Sequence, residues 1–225
     1  MAKVNLRFAV KPLPWHPWIN DEDAANFKRV TGEPYGDLIR EWMATDTLPL
    51  TPPTRHTQPK CFPGWQGAVT VCKGRAIAEM LKVEIGKLDC PRMVVWTGTN
   101  TLRQWFLGRD SVLTARHAVC VYGGQELESF QQKYQRWTRS SRTILIAHRG
   151  LLLQPEHTAV CDTGVAPEII FPEPLWNIDE AVAAIRCHLR NPLFDTAHIR
   201  FLGIANTVDE ELAHYLCKKT AERFA

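Results

Sequence analysis

Short apolar runs alternate with amphipathic stretches along the chain, and the densest alternation lies between Arg92 and Leu153. This stretch reads strand, helix, strand, helix, strand: RMVVWTGTN, TLRQWFLG, DSVLTARHAVCVYGG, an amphipathic segment from Gln125, then TILIAHRGLLL. Valine, isoleucine and threonine crowd the strand segments, where branched side chains suit a pleated surface. Upstream, Val4 to Val10 alternates as a first strand, and the prolines of PLPWHPWIN are expected to break it. AVTVC reads as another strand and Arg75 to Ile85 as a helix. Downstream, HTAVCDTG, PEIIF and HIRFLGI read as strands.

Helix signals fill the gaps. A short helix is expected after Asn20 or Asp21, ended by Gly32. Another covers Tyr35 to Ala44, with Leu38, Ile39, Trp42 and Met43 on one face at helical spacing. Asn177 caps a helix whose apolar positions are Ile178, Val182, Ile185 and Leu189, with Pro192 as its stop. Thr207 and Glu210 have capping-box spacing at the start of the last helix, and Lys218, Lys219 and Arg223 suit its negative end. Strands interspersed with helices imply an α/β or α+β fold, with a mixed sheet and helices packed on it. LDCP marks a sub-boundary, giving an N-terminal lobe (1–90) and an α/β core lobe (91–225), or one continuous domain. Residues 45–67 form a long Pro-rich loop that is too rich in Trp, Phe and Leu for a free linker.

Length and composition add bounds. The 225 residues are 45% hydrophobic and 23% charged, enough apolar material for a real core. The seven cysteines are widely spaced and form no CxxC pair, which argues against a zinc ribbon or a disulfide framework. No metal is expected, because no His/Asp/Glu cluster has helical i, i+4 ligand spacing. The first residues have no apolar region long enough for a secretory signal, and no run reaches the length of a membrane span. A reducing cytoplasm fits this cysteine usage.

Net charge is only +3, so where the charges lie matters more than their sum. From Gln131 to Pro155 there is no acid, while Lys133, Arg136, Arg139, Arg142 and Arg149 all occur. Leu127, Phe130, Tyr134 and Trp137 recur at spacings of three and four and form one helix face. Lys133, Arg136 and Arg139 line a neighbouring face. The helix can thus anchor its aromatic side and show cations to solvent. Arginine's planar fork suits phosphate oxygens, and TRSSR adds hydroxyls at the helix exit. The expected partner is nucleic acid, RNA or DNA, with the chain a subunit of a ribonucleoprotein or of a defence or mobile-element complex. Trp15, Trp18 and the 45–67 loop are candidate contacts for protein partners. The bland alternative for this helix is a solvated face with ordinary salt bridges to acids elsewhere, and a further reading of the chain is a structural, partner-binding protein that docks through its Trp-Pro segments.

Two motifs raise an enzymatic alternative. The run Thr114-Ala115-Arg116-His117 resembles the histidine motif of trypsin-like serine proteases, which would make His117 a general base. A Gly-Asp-Ser-Gly motif is missing, however. The nearest run, Cys161-Asp162-Thr163-Gly164, follows too soon for a second barrel to intervene. The order strand, Thr97-Gly98-Thr99, helix, strand, Tyr122 is similar to ADP-ribosyltransferases. In one branch of that family a His-Gly-Thr turn holds a nicotinamide cofactor, and a tyrosine and a glutamate complete the site. The resemblance implies a transferase or hydrolase site near Thr97–Asn100 and His117, with Thr99 and Tyr122 as catalytic candidates and Glu168 as the glutamate. The histidine of that turn is absent here, and neither GxxxxGK[ST] nor GxGxxG occurs, so no cofactor is expected.

Overall fold

The computed structural model describes residues 5–14, 21, 22, 25, 28, 35–48, 74, 76, 77, 79, 80, 83, 92–97, 118–121, 132, 137, 139, 144–148, 168–173, 175–189 and 196–225. Among them are six strands: β1 (Asn5–Leu13), β2 (Met93–Thr97), β3 (Ala118–Val121), β4 (Ile144–His148), β5 (Glu168–Phe171) and β6 (Thr196–Ile204). They form one sheet in the order β1-β6-β5-β2-β4-β3, and every neighbouring pair is parallel. The fold is therefore α/β. The expected mixed sheet is instead wholly parallel among the described strands. Connections of roughly twenty residues separate β2 through β6, long enough for crossovers rather than hairpins.

Burial follows position in the sheet. All of β2 and β5 is buried, as is Ile144 to Ala147 of β4, because central parallel strands are covered on both faces. Phe171 of β5 stacks on Phe201 of β6 with centroids 5.1 Å apart. At the sheet's end β1 alternates in exposure. The strand also runs past Pro12 to Leu13, beyond its expected end. A proline lacks a backbone donor, which an edge strand tolerates. The Leu13 carbonyl accepts from Ala205 N at 2.8 Å, tying the strand's end to the β6 exit. β1 and a helix from the first ninety residues thus share the sheet and helix layer of the later chain.

Three helices are described in full: α1 (Tyr35–Thr45), α2 (Ile178–Leu189) and α3 (Val208–Glu222). α3 packs on β6 and β1, with Leu212, Ala213 and Leu216 buried and Phe224 beside Phe8. Gly203 allows the closest approach: a Cβ there would lie 2.5 Å from Glu210 Cα. Thr207 caps α3, accepting from Asp209 N at 3.3 Å and donating to the Ile204 carbonyl at 2.6 Å. Glu210 bonds Asn206 N at 2.7 Å rather than the N–H of the cap itself, a one-residue variation on the expected capping box. Buried Asp209 turns back to Ile204 N at 2.7 Å, so the strand-to-helix turn is fastened from both sides.

α1 lies against α3. Arg40 grips Glu211 with two bonds, Nε to Oε2 at 2.9 Å and Nη2 to Oε1 at 3.0 Å. The helix ends in a Schellman motif: Thr47 N reaches the Trp42 carbonyl at 2.9 Å and Asp46 N the Met43 carbonyl at 3.4 Å. Asp46 occupies the left-handed position with φ of 57°, where glycine is the usual residue. Its carboxylate explains the choice of aspartate, since it accepts from Tyr215 Oη and from Lys219 Nζ. α2 is capped by Asn177, whose Oδ1 accepts from Asp179 N at 2.9 Å. Residues 74–83 include helical positions, with Ala76, Ile77 and Met80 buried and Val83 exposed.

Candidate functional site

In a parallel sheet all strands start at one edge and end at the other, so the strand ends sort the candidate residues. Arg92 stands just before β2, at the amino edge. Its guanidinium carbon lies 5.3 Å from the centre of the Trp137 ring, and Nη1 donates to the Trp137 carbonyl at 3.4 Å. The cation therefore meets both an aromatic face and a backbone carbonyl, two favourable environments for it. Trp137 is fully buried, while helical Gln132 and Arg139 are exposed. At 3.6 residues per turn, Arg139 lies about 200° around the helix from Trp137, on the opposite side. The three described positions of this helix thus agree with an apolar side turned inward and a polar side turned out. Lys133, Arg136, Arg142 and Arg149 lie outside the described residues.

The amino edge also holds a buried ion pair. Glu168 opens β5 with 3% of its side chain exposed, and Arg200 Nε binds its Oε1. Glu168 is in register with Met93, while Thr97 lies four residues farther along β2. At about 3.3 Å per residue that is roughly 13 Å, too far for the two side chains to share a small reacting group. Thr97 is buried at the carboxyl edge, in register with His148. Ala118, the residue after His117, opens β3 at the amino edge. His117, Thr99, Tyr122, Gly98, Asn100, Trp15, Trp18 and the loop residues 49–67 are outside the described residues. Among the described residues no group of three His, Cys, Asp or Glu could hold a metal ion. No helix among them is long and apolar enough to cross a membrane.

A separate cleft of about 290 Å³ opens between the end of α1, the start of α2 and the end of α3. Trp176 lies in its wall, packed edge-on against Trp42 with centroids 6.2 Å apart. Its charges are mutually paired: Lys219 with Asp46 at 3.0 Å and with Glu222 at 3.4 Å, and Arg223 with Asp179 at 3.9 Å. The Tyr215 hydroxyl and then the Lys219 ammonium hold the Asp46 carboxyl below its ordinary range. Burial, reinforced by Asp46, pushes the Tyr215 phenol upward. The partners are some 170 residues apart in sequence. No local pattern announces them, and the same is true of Arg92 with Trp137.

No protein-family model matches the chain, and no curated protein matches it in sequence. Several solved structures are similar in shape. The C-terminal part of the Fun30 ATPase domain is 15% identical, with 90% of this chain and 68% of that chain covered and a TM-score of 0.49. The Sulfolobus solfataricus SWI2/SNF2 ATPase C-terminal domain is 12% identical, with 96% and 86% covered and a TM-score of 0.46. The C-terminal domain of the DEAD-box protein Dbp5 is 10% identical, with 67% and 79% covered and a TM-score of 0.49. With scores below 0.5, these likenesses carry no statement about what this chain binds or does.

Proposed function

We propose that the chain binds nucleic acid through the exposed side of the helix that carries Arg139, with Lys133, Arg136, Arg142 and Arg149 as further contacts. It does so as a subunit of a larger ribonucleoprotein, defence or mobile-element complex. One observation carries the reading: Trp137 is locked inward beneath Arg92 while Arg139 points to solvent. A helix held this way presents its cations from a fixed platform, which limits the entropy lost on contact. The absence of acid from Gln131 to Pro155 leaves no local carboxylate to compete for them. Contacts of this kind recognise phosphate rather than base sequence, so binding is expected to be salt-sensitive and sequence-tolerant. The transferase alternative gains no support from Glu168, which is engaged by Arg200 at the edge opposite Thr97.

The test is retention on heparin and titration of a fluorescent mixed-sequence oligonucleotide over a range of salt. Arg136→Glu with Arg139→Glu is expected to abolish retention. It should also flatten the dependence of log K on log salt by about 1.5, from two lost phosphate contacts. A wild-type protein that does not bind, or that binds independently of salt, overturns the proposal.

A further inference from the structure

The cleft between α1, α2 and α3 takes no part in the nucleic-acid contact proposed above. Its open volume of about 290 Å³ is near the lower end of the range for small-ligand sites. Part of its wall is apolar: Leu48 and Ile178, both half-buried, line it together with Trp176. Three carboxylates and two cations stand round it, Asp46, Asp179 and Glu222 against Lys219 and Arg223, which leaves one negative charge in excess. The backbone leans the same way. α1 and α3 bring their carboxyl ends to the cleft and α2 its amino end, so two negative helix poles face one positive pole. The ion pairs are unequal. Asp46 is held by the Tyr215 hydroxyl and by Lys219 at 3.0 Å. Asp179 is 74% exposed, and Arg223 stands 3.9 Å from it, beyond hydrogen-bond distance, and is itself 61% exposed. Glu222 is half exposed and lies 3.4 Å from Lys219. Exposed pairs of this kind are weak, and a carboxylate has lone pairs for more than one donor. The acidic rim can therefore take a further cation without any of its carboxylates standing idle beforehand.

We infer that the cleft is a binding site for an organic cation with a short aliphatic stem, an alkylguanidinium or alkylammonium. The stem lies along Leu48 and Ile178, and the charged head sits at Asp179 and Glu222. Arg223 gives up Asp179 to the incoming head and turns its own tip to water on its flexible stem. A guanidinium suits the place better than an ammonium, because its planar fork offers a carboxylate two parallel donors and is less tightly hydrated. An anion fits poorly. It would meet three carboxylates, and Lys219, the cation set deeper in the cleft, is already shared by two of them. A metal ion fits poorly as well, since among the described residues no group of three His, Cys, Asp or Glu could hold one. The volume admits a small molecule or a single side chain. The same chemistry can thus come from a free amine or guanidine, or from a lysine or arginine of a partner polypeptide.

The probe is butylguanidinium, titrated at low salt into protein labelled at its leucine and isoleucine methyls, with the Leu48 and Ile178 signals followed by NMR. Both should shift together and saturate. Pentanol and pentanoate, of similar size, lack the positive charge that the rim recognises and should bind at least about tenfold more weakly. Asp179→Asn with Glu222→Gln should weaken butylguanidinium to the same degree. Arg223→Gln should tighten it about two- to fivefold, because the competing cation is gone. Such a gain could not come from a misfolded variant. The peptide acetyl-Gly-Arg-Gly-amide carries the same head on a polypeptide backbone. If it binds more tightly than butylguanidinium at the same methyls, the ligand is a side chain of a partner; if more weakly, it is a free amine or guanidine. Either result upholds the site. A wild type that does not bind butylguanidinium overturns the inference. So does one that binds pentanol or pentanoate equally well, or an affinity that falls in Arg223→Gln.

Discussion

Removing Arg200 takes a cation away from a buried carboxylate, and the cost can be judged from the pair's geometry. Glu168 has 3% of its side chain exposed and Arg200 has 25%. The two deletions are therefore unequal. In Arg200→Leu the carboxylate keeps its burial and loses its cation, a loss of about 3–5 kcal/mol, which is a large share of a typical domain's stability. In Glu168→Leu the guanidinium loses its partner but can turn its tip toward water along its apolar stem, so about 1–2 kcal/mol is expected. The double change Glu168→Leu/Arg200→Leu removes both charges and leaves apolar side chains on the face of the sheet that Ile170 shares. It should be far more stable than Arg200→Leu alone. Urea denaturation of the four proteins gives the cycle directly. Simple additivity, or a Glu168→Leu protein less stable than Arg200→Leu, would refute the view that Glu168 is a structural counter-ion. The same variants bear on function, since a catalytic glutamate could not be restored by deleting its neighbour. The double variant should keep whatever oligonucleotide binding the wild type has.

Two further predictions concern the helix layer. Gly203→Ala places a methyl 2.5 Å from Glu210 Cα and 2.9 Å from the Asp209 carbonyl oxygen, both backbone atoms. Separating α3 from β6 should cost about 3 kcal/mol and lower Tm by roughly 6–12 °C by calorimetry. An unchanged Tm would mean that the turn is not as tightly seated as its hydrogen bonds imply. In the cleft, the Asp46 carboxyl is held below its ordinary range, mainly by the Tyr215 hydroxyl and next by Lys219. A carboxyl depressed in the folded state lends stability above its unfolded pKa, and this is lost as pH falls through the folded value. Carboxyl-detected NMR should show the Asp46 midpoint rising in Tyr215→Phe, and a midpoint that does not move would show that the phenol has no hold on it.

Local physics carried the sequence reading a long way. Strands at Met93–Thr97, Ala118–Val121, Ile144–His148 and Glu168–Phe171 lie within runs marked by apolar density, and Thr196–Ile204 starts two residues before the expected HIRFLGI. The Thr207 cap and the Asn177 cap were legible because short polar side chains before an amphipathic run have one usual use. Trp137 was legible as the inward side of its helix for the same periodic reason. Strand order was not. β5 and β6 cross to the far side of β2 from β4 and β3, and nothing in a run's composition says which neighbour it will choose. Pro12 misled for a definable reason: whether a proline ends a strand depends on whether its missing donor faced a partner, and that is a tertiary fact. Asp46, Tyr215 and Lys219 were not legible as a group: Tyr215 reads only as an inward position and Lys219 only as a cation at a helix end until α1 lies beside α3.

The parallel sheet also changes how the cationic segment must be understood. In sequence Lys133 to Arg149 looks like one patch, because no acid interrupts it. In the fold, β4 intervenes: Ile144 to Ala147 is buried, Ile144 pairs with Met93 at the amino edge and His148 with Thr97 at the carboxyl edge. A strand of that length covers roughly 13 Å from first to last residue. The chain therefore enters the sheet on one edge and leaves it on the other, with Arg139 and Arg92 on the entry side. The burial of Trp137 under Arg92 belongs entirely to the entry side. That is why the helix leads the nucleic-acid contact, and why Arg136 and Arg139 are the substitutions that test it first.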